Sequence, residues 1–241
     1  MRLGSGRRSA AGAVSGWGEL TAAFVVFVLA HALPARPPVR GRLVAIAGER
    51  VYLVLYSVVS LGLFAWIVAA AGRAPIVVLW DVAAWQFWVP PVAMAVVCLL
   101  VAFGTAIANP FSLGGSRGLP FDPMRPGIVG VTRHPLLWAI VIWALAHVLP
   151  NGDLAHVLVF GSFASLSVVG MVILDRRARR RLGPSWADFS RNTALIPFGA
   201  GLRGVMELPA TGLRAVVAAA IYAALLVLHE PVIGVSPLPM P

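Results

Sequence analysis

The sequence predicts an all-α fold, a polytopic transmembrane helical bundle of five or six spans. Three observations predict it. Of 241 residues, 59% are hydrophobic and only 12% are charged, against roughly 25% charged in an ordinary soluble domain. Mean hydropathy is +0.88. The apolar residues also gather into separate runs of spanning length, near 17–34, 51–71, 88–108, 135–149, 154–174 and 212–229. A soluble domain of this size has too much surface to cover with so few charges, and a disordered chain would be far less apolar.

Taken in order, residues 1–16 are mostly Arg, Ser, Gly and Ala and read as a flexible tail; 17–229 read as one transmembrane domain and 230–241 as a C-terminal tail. Arg7-Arg8 before an apolar run, with Leu33-Pro34-Ala35 after it, imitates a signal and its cleavage site, but an uncleaved first helix is the simpler reading. Each long run meets the roughly 20 apolar residues that a spanning helix needs. The run at 135–149 is short, so it spans only if its flanks enter the bilayer, and otherwise re-enters. Residues 76–87, with Trp80 and Trp85, are too few to span and fit the headgroup level, where Trp is favoured. Residues 174–189 place Leu174, Ala178, Leu182, Trp186 and Phe189 at near-helical spacing with Arg between them. That pattern is a basic interfacial helix broken near Gly183-Pro184, suited to anionic lipid headgroups. Asn151-Gly152-Asp153 is a tight turn.

Net charge is +10, and every basic residue is Arg. Loops 35–50, 109–134 and 175–211 hold 14 arginines, against four in Arg2, Arg7, Arg8 and Arg73. The positive-inside rule places those three loops in the cytoplasm and both termini outside. The same rule accounts for the basic balance without nucleic acid, which is not expected as a partner. Cys98 is the only cysteine and lies in an apolar run, so no intrachain disulfide and no Cys-rich metal site exist.

Five histidines carry the candidate chemistry: His31, His134, His147, His156 and His229. An ionisable group inside a span is costly and marks a functional hypothesis. Arg133-His134-Pro135 opens the fourth span, with Pro suited to the first helical turn. His134 then sits at the N-cap, where free N–H groups, the positive dipole end and Arg133 suit a phosphate, a carboxylate or a haem propionate. His147 follows 13 residues later, roughly 20 Å along a straight helix, so these two histidines do not share one metal. Depth pairs His31 with His134, and His147 with His156 or His229. Two imidazoles from facing helices are a common way for a bundle to hold haem iron.

Glu49-Arg50-Val51-Tyr52 leading to Tyr56-Ser57-Val58-Val59-Ser60-Leu61 resembles the NnrU family. So do Leu79-Trp80-Asp81, Asn109-Pro110-Phe111, Thr132-Arg133-His134-Pro135-Leu136-Leu137-Trp138, Trp143-Ala144-Leu145-Ala146-His147 with Asn151-Gly152-Asp153, and Gly183-x-x-Trp186 with Ile196-Pro197. The resemblance covers roughly residues 20–200 and implies a bacterial inner-membrane protein tied to nitrite and nitric oxide reduction. The family is similar to the 15-cis-ζ-carotene isomerases, which are membrane haem b enzymes acting on a hydrophobic small molecule. Carried over by motif, the iron-ligating histidines fall on His31 and His147. The isomerase Cys three residues before the second ligand is Ala144 here. A second resemblance, to isoprenylcysteine and phospholipid methyltransferases, rests on the Arg-His-Pro start and on Gly183, Trp186, Phe189 and Pro197. It implies S-adenosylmethionine seated near Arg133 and His134.

Overall fold

The structure is a computed structural model that describes residues 5–115, 119–201 and 211–238, with side chains from residue 16 onward. Arg2, Arg117 and Arg203 lie outside the described residues, as do the side chains of Arg7 and Arg8 and the last three residues of the C-terminal tail. Every regular element among the described residues is helical, and extended chain pairs only in two isolated bridges. The chain groups into two compact units, Met1–Leu79 with Asp153–Val159, and Trp80–Gly152 with Phe160–Pro241.

In the first unit α1 (Ser5–Ala32) reaches back into the segment expected as a tail and lies against α3 (Glu49–Arg73). The two come close enough that a Cβ on Gly16 would sit 2.7 Å from the Arg73 carbonyl oxygen. The loop expected over 35–50 holds a helix instead, α2 (Pro37–Ala47). Pro37 and Pro38 start it, because a prolyl N–H is not missed in the first turn. The chain bends by 76° between Gly16–Ala32 and Pro37–Ala47. Gly48, at φ 80°, then turns α2 into α3, a conformation that favours glycine.

In the second unit a 3-10 turn (Ala84–Trp88) runs directly into α4 (Val89–Gly104). This span ends at Gly104 and not at 108: Thr105 is extended and Ala106 takes a positive φ of 53°. The stop at Gly104 permits close contact, since a Cβ there would lie 2.8 Å from the Pro135 ring. A loop and the short α5 (Ile128–Val131) lead to α6 (Pro135–Val148), which packs on α4. The helix α6 has only 14 residues, about 21 Å of rise, as its short apolar run implies. The tight turn at Gly152 (φ 63°) follows.

The helix α7 (Leu154–Leu182) holds 29 residues without a break. The basic stretch expected as a separate interfacial helix is therefore the direct continuation of the fifth span, because Arg is a good helix former and no glycine or proline intervenes. The expected break is present at Gly183 (φ 54°), followed by a 3-10 turn (Gly183–Ser185) and α8 (Trp186–Ser190). Ala178, Leu182, Trp186 and Phe189 join the core around Val97, Cys98 and Phe103, while Leu174 joins the cluster of Leu137, Val141 and Met171. The last helix, α9 (Thr211–Ile233), packs on α4.

Among the described residues four helical stretches are long and apolar enough to span, Glu49–Arg73, Ala84–Gly104, Leu154–Ser190 and Thr211–Ile233, and the bent pair α1–α2 counts as a fifth if it is one broken span and not a re-entrant loop. The helix α6 is a shorter sixth apolar helix. Their outward faces stay apolar: Leu61 is 68% exposed and Val227 72%. A surface of that kind is stable only against lipid. The fold is a polytopic helical membrane bundle.

Candidate functional site

The best-defined polar site lies at the start of α6. The residue before a proline avoids helical backbone, so the chain enters Pro135 in a non-helical form, with Thr132 extended and His134 at the N-cap. The extended residues pair with the segment after α8. The Arg133 N–H donates to the Ala194 carbonyl at 2.8 Å and the Phe198 N–H to the Val131 carbonyl at 2.9 Å. The Thr132 hydroxyl and the Trp138 indole N–H both donate to the Leu195 carbonyl, at 3.1 and 2.9 Å.

Here Arg133 and His134 converge on one carboxylate, that of Asp175 on α7. Arg133 donates from Nε at 3.0 and 3.1 Å and from Nη2 at 2.5 Å. His134 Nε2 lies 2.8 Å from Asp175 Oδ1, and its Nδ1 lies 2.9 Å from the Ser112 hydroxyl. The His134 side chain is wholly buried, and those of Arg133 and Asp175 are only 12% and 17% exposed. Arg133 Nη1 also donates to the Thr193 carbonyl at 3.2 Å, and the guanidinium lies over the Phe111 and Trp186 rings, 5.9 and 5.6 Å from their centroids. Asn109 ties the loop to the same point. Its Oδ1 accepts from the Phe111 and Ser112 N–H groups, and its Nδ2 donates to the Arg133 carbonyl at 3.0 Å. A carboxylate of the chain itself, Asp175, thus lies where a phosphate, a carboxylate or a haem propionate was expected beside Arg133 and His134. An ionised carboxylate only accepts, so Nε2 of His134 carries a hydrogen, and in the neutral ring Nδ1 accepts from Ser112.

His31 and His147 share a different local design. Each stands in the last turn of its helix, α1 and α6 respectively. His31 Nδ1 lies 2.9 Å from the Phe27 carbonyl and His147 Nδ1 lies 2.7 Å from the Trp143 carbonyl, both four residues back. A carbonyl accepts only, so Nδ1 holds the hydrogen and Nε2 keeps the lone pair. His31 stacks on Phe27 with centroids 4.0 Å apart and meets Tyr56 edge-on at 5.3 Å. Its carbonyl accepts from the Tyr56 hydroxyl at 3.4 Å. His147 lies 5.5 Å from the Trp143 ring and 5.3 Å from the Phe160 ring, and its carbonyl accepts from Asn151 Nδ2 at 2.6 Å. His31 belongs to the first unit, and His134, His147 and His229 to the second. His156 Nδ1 is 2.6 Å from Asp153 Oδ2, and His229 Nδ1 is 2.7 Å from the Val235 carbonyl. Among the described residues no three His, Cys, Asp or Glu side chains gather as a metal site; a haem iron needs at most two.

The partners of several working residues escaped the sequence reading. Asp175 is the one acid in the stretch 154–187, and an acid at a span edge calls for a partner. Glu19 on α1 is another: it accepts from Arg73 at 2.5 and 3.0 Å and from the Trp66 indole at 3.1 Å. Arg214 donates to the carbonyls of Ala102 and Thr105 at the end of α4.

The fold and these sites define a multi-pass helical membrane protein in which Arg133 and His134 are held by Asp175. The chain belongs to the NnrU family: the family model described as "NnrU protein" matches residues 19–237. It is 35% identical over 83 residues to the chloroplastic 15-cis-zeta-carotene isomerase of Zea mays, and 32% identical over 88 residues to that of Arabidopsis thaliana. Each match covers 34% of this chain and 23% of the relative, so the chain aligns with about a quarter of the length of the curated relatives. No solved structure matches.

Proposed function

We propose that this chain is a membrane-embedded cis–trans isomerase of a conjugated, hydrophobic polyene, carrying haem b in a bacterial inner membrane. The observation that carries this reading is the 35% identity over 83 residues to a 15-cis-zeta-carotene isomerase. The donor chemistry fits the cofactor. His31 and His147 are the residues that would ligate iron, each judged within its own unit. Both have Nδ1 committed to a helix carbonyl and Nε2 available, the arrangement that fixes the tautomer of ligating histidines. When bound, haem supplies a redox-active iron to a reaction that is itself redox-neutral overall.

The remaining residues act by position. The ends of α6 are both anchored: Arg133 and His134 fix its start through Asp175, and the Trp80 indole N–H donates to the Leu149 carbonyl at its end, at 3.1 Å. His147 is thereby held at a set depth. His134 has both ring nitrogens engaged within the chain, which favours a supporting role over ligation. The same engagement of Arg133 and His134 by Asp175 leaves that pair neutralised, which weighs against a methyltransferase that seats a carboxylate there.

The test is an absorption spectrum of the purified full chain expressed with ample haem. The expected result is a Soret band with low-spin features, lost in His31→Ala and in His147→Ala and kept in His156→Ala and His229→Ala. Incubation with 15-cis-ζ-carotene should then yield the 15-trans isomer. A haem spectrum without isomerisation would replace this reading with that of a non-catalytic factor supporting nitrite and nitric oxide reduction. Absence of any Soret band would remove the ligand assignments.

A further inference from the structure

The basic end of α7 has a physical description that the isomerase reading does not use. The helix has 29 residues, about 43 Å of rise, against a hydrocarbon core of about 30 Å. Its apolar part, from Leu154 to Leu174, is enough to cross that core. The last turns, from Asp175 to Leu182, therefore stand at headgroup level. There Ala178 is buried and Leu182 half-buried in the core of the second unit, while Arg176, Arg177, Arg179 and Arg180 are exposed. Arg176, Arg179 and Arg180 fall at i, i+3 and i+4, on one side of the helix.

Two described carboxylates close in sequence to this stretch are already committed. Asp175 is taken by Arg133 and His134, and Asp188 pairs with Arg191 at 2.9 Å. Arg181 donates to the Pro110 carbonyl. Among the described residues no carboxylate pairs with Arg176, Arg177, Arg179 or Arg180. The C-terminal dipole of α7 welcomes positive charge in its last turn, yet it accounts for about half an elementary charge and not for four outward guanidinium groups. A planar guanidinium matches a phosphate bidentately. In a membrane, the phosphate available at this depth is that of a lipid.

We propose that Arg176, Arg177, Arg179 and Arg180 form a binding site for the phosphate of an anionic phospholipid, seated on the exposed side of the last turns of α7. The committed state of Asp175 is part of the site, because a free carboxylate beside Arg176 would compete for it. Each arginine near an anionic surface contributes about a fivefold gain in apparent affinity, so the four act strongly together.

The experiment uses the full chain in nanodiscs of phosphatidylcholine alone or of phosphatidylcholine mixed with phosphatidylglycerol. Thermal unfolding is followed by tryptophan fluorescence, and co-purifying lipid is identified by mass spectrometry. The expected result is a higher melting temperature and selective retention of phosphatidylglycerol in the wild type. Both effects should shrink in R176Q/R179Q and vanish in R176Q/R177Q/R179Q/R180Q, with unfolding in pure phosphatidylcholine setting each variant's own baseline. An equal phosphatidylglycerol effect in the quadruple variant would overturn the proposal. So would a wild type indifferent to phosphatidylglycerol, or one stabilised to the same extent by inorganic phosphate added to phosphatidylcholine discs.

Discussion

Replacing Asp175 by alanine tests how much of the second unit hangs on one carboxylate. Its two oxygens take three contacts from Arg133 and one from His134. Removal leaves a guanidinium whose side chain is 12% exposed and a wholly buried imidazole without that acceptor. Taking away one partner of a buried pair costs about 3–5 kcal/mol. The Thr193 carbonyl and the Phe111 and Trp186 rings remain to Arg133, so we expect about 4 kcal/mol within that range. At about 2–4 °C per kcal/mol for a chain of this length, the melting temperature should fall by about 8–16 °C. Asp175→Asn keeps one acceptor oxygen and should lose about half as much. The assay is thermal unfolding followed by tryptophan fluorescence, with Trp186 beside the pair as reporter. Arg133→Met, combined with Asp175→Leu, should cost less than the two single changes summed, since each single change strands a charge or a donor that the double change removes. Strict additivity, or an Asp175→Ala protein that melts with the wild type, would refute the reasoning.

Gly104→Ala should destabilise by about 1–3 kcal/mol through overpacking, because its Cβ would lie 2.8 Å from the Pro135 ring, while Gly18→Ala, with open space around it, should be neutral or stabilising; chemical denaturation of both variants checks the contrast. His134→Ala should lower the melting temperature yet leave any low-spin haem spectrum in place, and loss of the axial signature on that substitution would make His134 a ligand. With Cys98 replaced by Ser, an impermeant thiol reagent applied from the periplasm should label Asp81→Cys and miss Ser190→Cys; labelling at position 190 would invert the topology. Glu19→Gln should weaken the pairing of α1 with α3 only slightly, since Arg73 and Glu19 are 55% and 32% exposed and solvent screens an exposed pair; a marked fall in melting temperature would mean that lipid, not water, surrounds the pair.

The spans were legible because hydropathy is a one-dimensional signal: the apolar runs lie where the helices do, and the short run at 135–149 is the short helix α6. Local turn chemistry was legible too. Pro135 opens α6, Gly152 makes the turn and Gly183 ends α7. The apolar spacing of Leu174, Ala178, Leu182, Trp186 and Phe189 marks the face that packs. The continuity of α7 was not legible, because a change from apolar to basic residues alters the solvent of a helix and not its backbone. The helix α2 was hidden by its Pro37-Pro38 start, which reads equally as a loop. The site was legible only in half: Arg133 and His134 announce a need for an anion, but their partner lies 42 and 41 residues away. Pairing at that distance is decided by packing and leaves no periodic trace.

The distance between Arg133 and Asp175 also sets an order of assembly. The polar start of α6 is made long before the residues that satisfy it. With 42 residues between arginine and carboxylate, and synthesis at about 5–20 residues per second, the gap is about 2–8 s. The Thr193 and Leu195 carbonyls, 60 and 63 residues further on from their donors, arrive later still. During that interval a 14-residue helix with a charged end is a poor candidate for stable insertion. The cost of burying an unpaired charge should hold it at the membrane surface, or in the insertion machinery, with its arginine in water. The arrival of α7 should draw it to final depth, so the start of α6 matures only after Asp175, 42 residues further on, has emerged, and a ribosome that stalls in between leaves the bundle open at this seam.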